Sequence, residues 1–281
     1  MKNYKKGILL LSILSAMSLI AAEDKTIYVN TFTDEDGENP EKCSLREAVT
    51  AASLHQAYGG CPAGQSKPTM TNIIQLEEGE YKLKKELQPN AAISIVGKLP
   101  ADYSKANILT NSYPALTANK TIINAESNSR IFNTSQLNKP GLSLNNITLK
   151  NGYSSTEGGT IYAGGSINLS NVSILNSKAK VGGAIFLNDI NSSVTIGGGT
   201  FQGNDAAQGS FPAMTCNDNL IYTTRSITLS GASVVQNGSP TSLSTFAFCG
   251  QPGVSISTST IAKNIADANT GRIFQFSSNT P

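Results

Sequence analysis

Leu142-Ser-Leu144-Asn-Asn146-Ile147-Thr-Leu149 is rewritten in kind as Ile167-Asn-Leu169-Ser-Asn171-Val172-Ser-Ile174. A looser copy is Val194-Thr-Ile196 followed by Phe201, and further copies start at Ile227 and Val254. Each has two apolar residues one apart, a small or polar corner, a second apolar pair, then an Asn. The starts are spaced by 25, 27, 33 and 27 residues. A period in the twenties marks stacked units, each of which buries its apolar side only against the next. Short runs such as Ile73, Ile74 and Leu76, or Ile93, Ile95 and Val96, are of strand length and bounded by Gly, Pro or Asn. The expectation is a coil of strands.

Composition agrees. Charged residues are 14% of the 281, aromatics 6%, and Trp is absent. A chain rich in Gly, Ser, Thr and Asn suits short strands and tight turns. A net charge of +2 gives no basic field, so nucleic acid is not an expected partner.

Residues 1–22 read as a signal peptide. Lys2, Lys5 and Lys6 form a basic region, 8–20 is a short apolar run broken by serines, and Ala21-Ala22 offers a cleavage site. The run is short for a membrane span. The mature chain is therefore expected to begin near Glu23, to be exported through the secretion machinery, and to carry no membrane span. Four cysteines, Cys43, Cys61, Cys216 and Cys249, allow three pairings. The sequence-local choice is Cys43–Cys61 and Cys216–Cys249, each contributing about 3–4 kcal/mol. A zinc site is not expected, since His55 is the one histidine and no CxxC spacing occurs.

The region 23–72 reads as a separate capping module ahead of a repeat domain, 73–281. Thr26-Ile-Tyr-Val29 is a strand by its β-branched and aromatic content. In the acidic turn that follows, Asp34, Asp36 and Glu38 are weak calcium candidates, with a solvated turn as the plainer reading. Apart from that calcium, no metal or cofactor is expected. Ser44 and Glu47 have the spacing of a capping box, and Leu45, Ala48, Val49 and Ala52 form one narrow apolar face. This gives a short helix with Arg46 and Glu47 on a charged face. His55 reads as an exposed or satisfied helix-end residue. Between 100 and 120 the pattern lapses, as for a loop.

Gly158-Gly159-Thr-Ile161-Tyr162 and Gly182-Gly183-Ala-Ile185-Phe186 recur 24 residues apart. Paired glycines permit a positive-φ corner and close backbone approach, with the Ile pointing inward. A phosphate loop would need a strand-to-helix junction with Lys, which is absent. The segments 209–224 and 237–253, holding Cys216 and Cys249, read as excursions from the coil. The last rung ends in Arg272-Ile-Phe-Gln-Phe276 without a capping helix, which leaves an open exit and hints at a longer native chain.

Cys43-Ser44-Leu45-Arg46-Glu47-Ala48, set between an acidic turn and the strands at 73–76, 93–96 and 121–124, resembles the signature of CSLREA-domain proteins. The resemblance covers about 26–204. It implies a bacterial exported protein in which this module precedes a parallel β-helix. The Gly-Gly-x-Ile-aromatic element is similar to one in autotransporter passengers. The implied fold is an all-β, right-handed, single-stranded parallel β-helix with a short N-terminal capping helix. The implied location is secreted or the outer surface of a Gram-negative cell. A narrower group within the family comprises proposed substrates of rhombosortase, which carry a Gly-Gly, apolar, basic tail; this chain, ending at Pro281, departs from that pattern.

Lyases of β-helical fold need a base beside a carboxylate, and inverting hydrolases need facing carboxylates. From 142 onward Glu157, Asp189, Asp205, Asp218 and Asp267 are isolated, and Lys150, Lys178, Lys180, Arg225, Lys263 and Arg272 are equally dispersed. No catalytic residue is assigned. The expected function is a non-catalytic extended surface for a glycan or surface-protein partner. The alternatives are a polysaccharide lyase or glycoside hydrolase, and a structural passenger without a ligand.

Overall fold

The computed structural model describes residues 25–65, 69–99, 119–189, 192–207, 214–216, 226–249 and 253–277, with only the backbone of 214–216, Cys249 and Ser277. The segment 1–22 expected to be a signal peptide, residues 100–118 of the segment expected to be a loop, Asp218 and Arg225 lie outside these residues. The fold is nearly all β. One helix, α1 (Leu45–Leu54), accompanies strands that pair almost entirely in parallel.

Three parallel ladders make up most of the fold, and from the unit that begins at Ile93 onward each successive unit adds one strand to each. The first ladder takes Ile27–Tyr28, Asn72–Gln75, Ile93–Val96, the start of Leu142–Lys150, the start of Ile167–Leu175, Val194–Gly197, Ser226–Ser230 and Gly253–Ser257. Its register pairs Leu142 with Ile167, Ile167 with Val194, Val194 with Ile227 and Ile227 with Val254. These are the five unit starts found in the sequence. The second ladder takes Gly79–Lys82, Thr121–Asn124, residues 147–150 and 172–175, Thr200–Gln202, Ser233–Val235 and Thr260–Ala262. The third takes Phe132–Asn133, Ile161–Ala163, Ile185–Leu187, Met214–Cys216, Ser244–Cys249 and Arg272–Ser277.

The corners between ladders explain the polar punctuation. Asn146, Asn171, Gly198 and Gly231 have φ of 56°, 52°, 74° and 65°, at matching places between first and second ladders. Asn151, Asn176, Gly203, Gln236 and Lys263 repeat this after the second ladder, with φ of 55–66°. Asn tolerates this left-handed region better than other side chains, and Gly adopts it freely. Next to the second corner, buried amides tie rung to rung. Asn204 donates to Asn237 Oδ1 at 2.9 Å, and Asn237 donates to Asn264 Oδ1 at 2.9 Å. Each such bond satisfies polar groups that would otherwise cost about 1–3 kcal/mol to bury.

The interior between ladders is apolar. Leu142, Leu144, Ile147, Leu149, Ile161, Ile167, Leu169, Val172, Ile174 and Ile185 are all at most 2% exposed. Gly158 and Gly182 take φ of 62° and 65°, and a Cβ on Gly159 would collide with the Gly183 carbonyl, so the paired glycines act as expected. Tyr162 and Phe186, the aromatics of that element, stack at 5.5 Å with planes 4° apart.

Two expectations are corrected. The segments read as excursions contain strands of the third ladder, Met214–Cys216 and Ser244–Cys249, paired in register at Met214 and Phe246. They escaped the repeat because length variation between units falls in the loops before this ladder. The second correction is the helix face. Arg46, Glu47 and Ala51 are buried along with the apolar residues, because α1 is enclosed on several sides.

The two ends differ. Helix α1 packs beside Asn72–Gln75, its Leu45, Ala48, Val49, Ala51 and Ala52 joining the core cluster. The strand Ile27–Tyr28 pairs in parallel with Ile74 and Gln75, so it continues the first ladder. At the other end Ile256, Ile273 and Phe276 are 39%, 49% and 62% exposed.

Candidate functional site

The sequence motif around α1 is a structural junction. Ser44 caps the helix, its Oγ accepting from the Glu47 N–H at 3.2 Å while Glu47 Oε2 accepts from the Ser44 N–H at 2.9 Å. Glu47 Oε1 also accepts from the Gly37 N–H at 2.8 Å. Asp34 and Arg46 form a buried bidentate pair, both bonds 2.8 Å, with side chains 2% and 7% exposed. Arg46 then donates to the carbonyls of Lys85 and Glu86 at 2.6 and 3.0 Å, and Asp34 accepts from the Lys84 N–H at 2.6 Å. The reading of Asp34 as part of a solvated turn, and of Arg46 as part of a charged surface, is therefore corrected. Each satisfies the other where water is excluded.

The calcium candidates are not brought together. Asp34 is spent on Arg46. Asp36 faces Lys85 at 2.9 Å, whose hydrogen bond holds the Asp36 carboxyl below its ordinary value. Glu38 accepts from the Asp36 N–H. No group of three or more potential metal ligands occurs among the described residues. Cys43 and Cys61 are disulfide-bonded with Cα atoms 4.5 Å apart, as expected. Cys216 and Cys249 lie on neighbouring strands of the third ladder, but their side chains are outside the described set. His55 closes α1 with φ 54°, its Nδ1 2.7 Å from the Gln65 carbonyl, a satisfied helix end.

Charge is concentrated near the covered end. Glu86 pairs with Arg130 at 2.9 Å and its side chain is largely enclosed. Burial pushes its carboxyl upward, but hydrogen bonds from Gln88, Asn133 and Arg130, with the Arg130 charge, outweigh burial and hold it low. Glu80 is held low by hydrogen bonds from Lys150 and Asn124. Tyr81, packed inward, has its hydroxyl pushed up to about 12 by burial. Farther along, Asp189 pairs with Lys139 and Asp267 caps its own turn through Asn269 and Thr270. The dispersed acids and bases of the sequence are not gathered into a carboxylate pair among these contacts.

The broadest repeating surface is the outer side of the first ladder. Side chains alternate in a strand, so residues between the buried Leu142 and Leu144, and beyond Leu144, face away from the core. Register places Ser143, Asn168, Thr195, Thr228 and Ser255 in one row and Asn145, Ser170, Gly197, Ser230 and Ser257 in the next. None of the ten is buried and none is charged. Five rungs at about 4.8 Å give rows roughly 19 Å long. Hydroxyls bond along the stack, Ser257 to Ser230 at 3.2 Å and Ser193 to Ser166 at 3.1 Å. Sequence reading saw polar faces; it missed that these residues share two straight rows, which required the register.

No helix among the described residues is long and apolar enough to cross a membrane. No family model, curated protein or solved structure matches the chain.

Proposed function

We propose that the parallel ladders form a right-handed, single-stranded parallel β-helix and that the protein is an exported, non-catalytic binding surface. Its ledge is the outer side of the first ladder, and its partner is a glycan or a surface protein of repeating structure. The observation that carries this reading is the pair of uncharged rows, hydroxyls and amides broken at Gly197 alone, in register over five rungs. Such a row offers donors and acceptors at one fixed spacing, which suits a partner with its own repeat. The resemblance of Cys43–Ala48 to CSLREA-domain proteins, and within them to rhombotarget A, supports export to a bacterial surface.

The test is a glycan and cell-surface array probed with the wild type and with a Thr195→Arg/Thr228→Arg variant. A ligand retained by the wild type and lost by the variant supports the ledge; equal binding by both sinks it. Incubation with polyuronides at varied Ca²⁺ is expected to give no absorbance from unsaturated products. A steady rise would overturn the non-catalytic reading.

A further inference from the structure

A second surface has the opposite chemistry. Outside the three ladders, Lys178–Ala179 pairs with Asp205–Ala206, and Tyr153 bridges to Lys178, so Tyr153, Lys178 and Asp205 stand in register on three successive rungs. Backbone bonds fix this short outer ladder: Ser154 N–H to the Lys178 carbonyl at 2.9 Å, Lys180 N–H to the Thr156 carbonyl at 2.8 Å, and Asp205 N–H to the Ser177 carbonyl at 2.8 Å. The three residues line a groove of about 530 Å³, with Ser155 and Lys180 completing its polar wall. Tyr153 is 43% exposed there, an aromatic face turned to water. Lys178 and Lys180 flank the buried Ala179, so the two exposed ammonium groups share one side.

The cations on this groove are uncommitted. Seven ion pairs among the described residues employ Arg46, Lys82, Lys85, Lys98, Arg130, Lys139 and Lys150, and none includes Lys178, Lys180 or Asp205. A flat ring, hydroxyls and two free ammoniums in one groove recognise a polyhydroxylated ring that carries carboxylates. We propose that this groove binds an acidic oligosaccharide of the uronate class. Tyr153 packs against a sugar face, Lys178 and Lys180 take the carboxylates, and Asp205 opposes the ligand's charge. The site is independent of the first-ladder ledge.

Titration calorimetry with a short oligogalacturonate, and with its methyl ester as the uncharged control, tests this. The wild type is expected to bind the acid, to bind the ester at least about tenfold more weakly, and to weaken with salt. Tyr153→Ala is expected to lose about fivefold in affinity. Lys178→Ala/Lys180→Ala should abolish the preference for the acid, and Asp205→Asn should tighten binding a few-fold by removing a repelling charge. The Asp205 gain distinguishes recognition from a merely structural role, even where Tyr153→Ala fails to fold. Thr195→Arg/Thr228→Arg should leave this binding unchanged, so failure of the ledge and failure of the groove are separable. Equal affinity for acid and ester, no change on Asp205→Asn, or equal competition by polyglutamate would overturn the assignment.

Discussion

The two ends of the stack are built from similar apolar side chains yet differ in what covers them. At the first end, α1 lies over the core, the Cys43–Cys61 bond holds its approach, and the Asp34–Arg46 pair ties it to the carbonyls of Lys85 and Glu86. At the other, Phe274 and Phe276 occupy the register of Phe246 and Phe248, but Phe276 is 62% exposed where Phe248 is wholly buried. In a stacked fold a residue's burial is set by its neighbouring rung, and type alone does not assign it. The covered end therefore holds Asp34, Arg46 and Glu47, most of the buried charged side chains among the described residues, and the regular outer faces are left for recognition.

The contrast can be broken most sharply at Arg46. Arg46→Ala strands the Asp34 carboxylate and two carbonyl partners, so chemical denaturation should register a loss of about 3–5 kcal/mol. Adding Asp34→Asn should recover part of it; a loss under about 1 kcal/mol would show that the pair does not secure the cap. Next comes the same substitution made on adjacent rungs. Phe246→Ala should cost about 3–5 kcal/mol, whereas Phe276→Ala should cost well under half of that, by thermal or urea melts. Equal costs would erase the difference between the ends.

Replacing both Cys43 and Cys61 by Ser should lower stability by about 3 kcal/mol, chiefly by freeing the unfolded chain. The smallest effect is expected in acid. Glu80 and Glu86 are held below the usual glutamate value of 4.5, so their contribution is complete above that pH and is lost as pH falls through their lower folded values. Stability of Glu80→Gln/Glu86→Gln should fall less steeply than wild type below 4.5; identical slopes would remove these groups from the acid response.

Much of the stack was legible because inward residues recur at one phase. Leu142, Ile167, Val194, Ile227 and Val254 are the same position on five rungs, and the left-handed corners at Asn146 and Asn171 mark where one ladder ends and the next begins. The capping box and the Cys43–Cys61 bond were legible because each is local. The third ladder was legible only at Ile161, Ile185 and Arg272–Phe276, since Phe132–Asn133 is two residues long and variable loops precede the strands at Met214 and Ser244. Asp34 and Arg46, 12 residues apart, gave no local sign of meeting, so Asp34 was read as a calcium candidate in a wet turn. Of the candidate surfaces, the alternation of Ser, Thr and Asn was visible, but the straight rows were not. Tyr153, Lys178 and Asp205 lie 25 and 27 residues apart and meet only through an outer ladder of two-residue strands.

Amide hydrogen exchange resolved by peptide tests the coverage account most directly. Strands within 142–175 and the third-ladder strand Ser244–Cys249 should exchange slowest, and Gly253–Ser257, Thr260–Ala262 and Arg272–Ser277 fastest among the strands. Protection of 253–277 equal to that of the interior rungs would contradict it, because the last rung would then be covered as fully as the first.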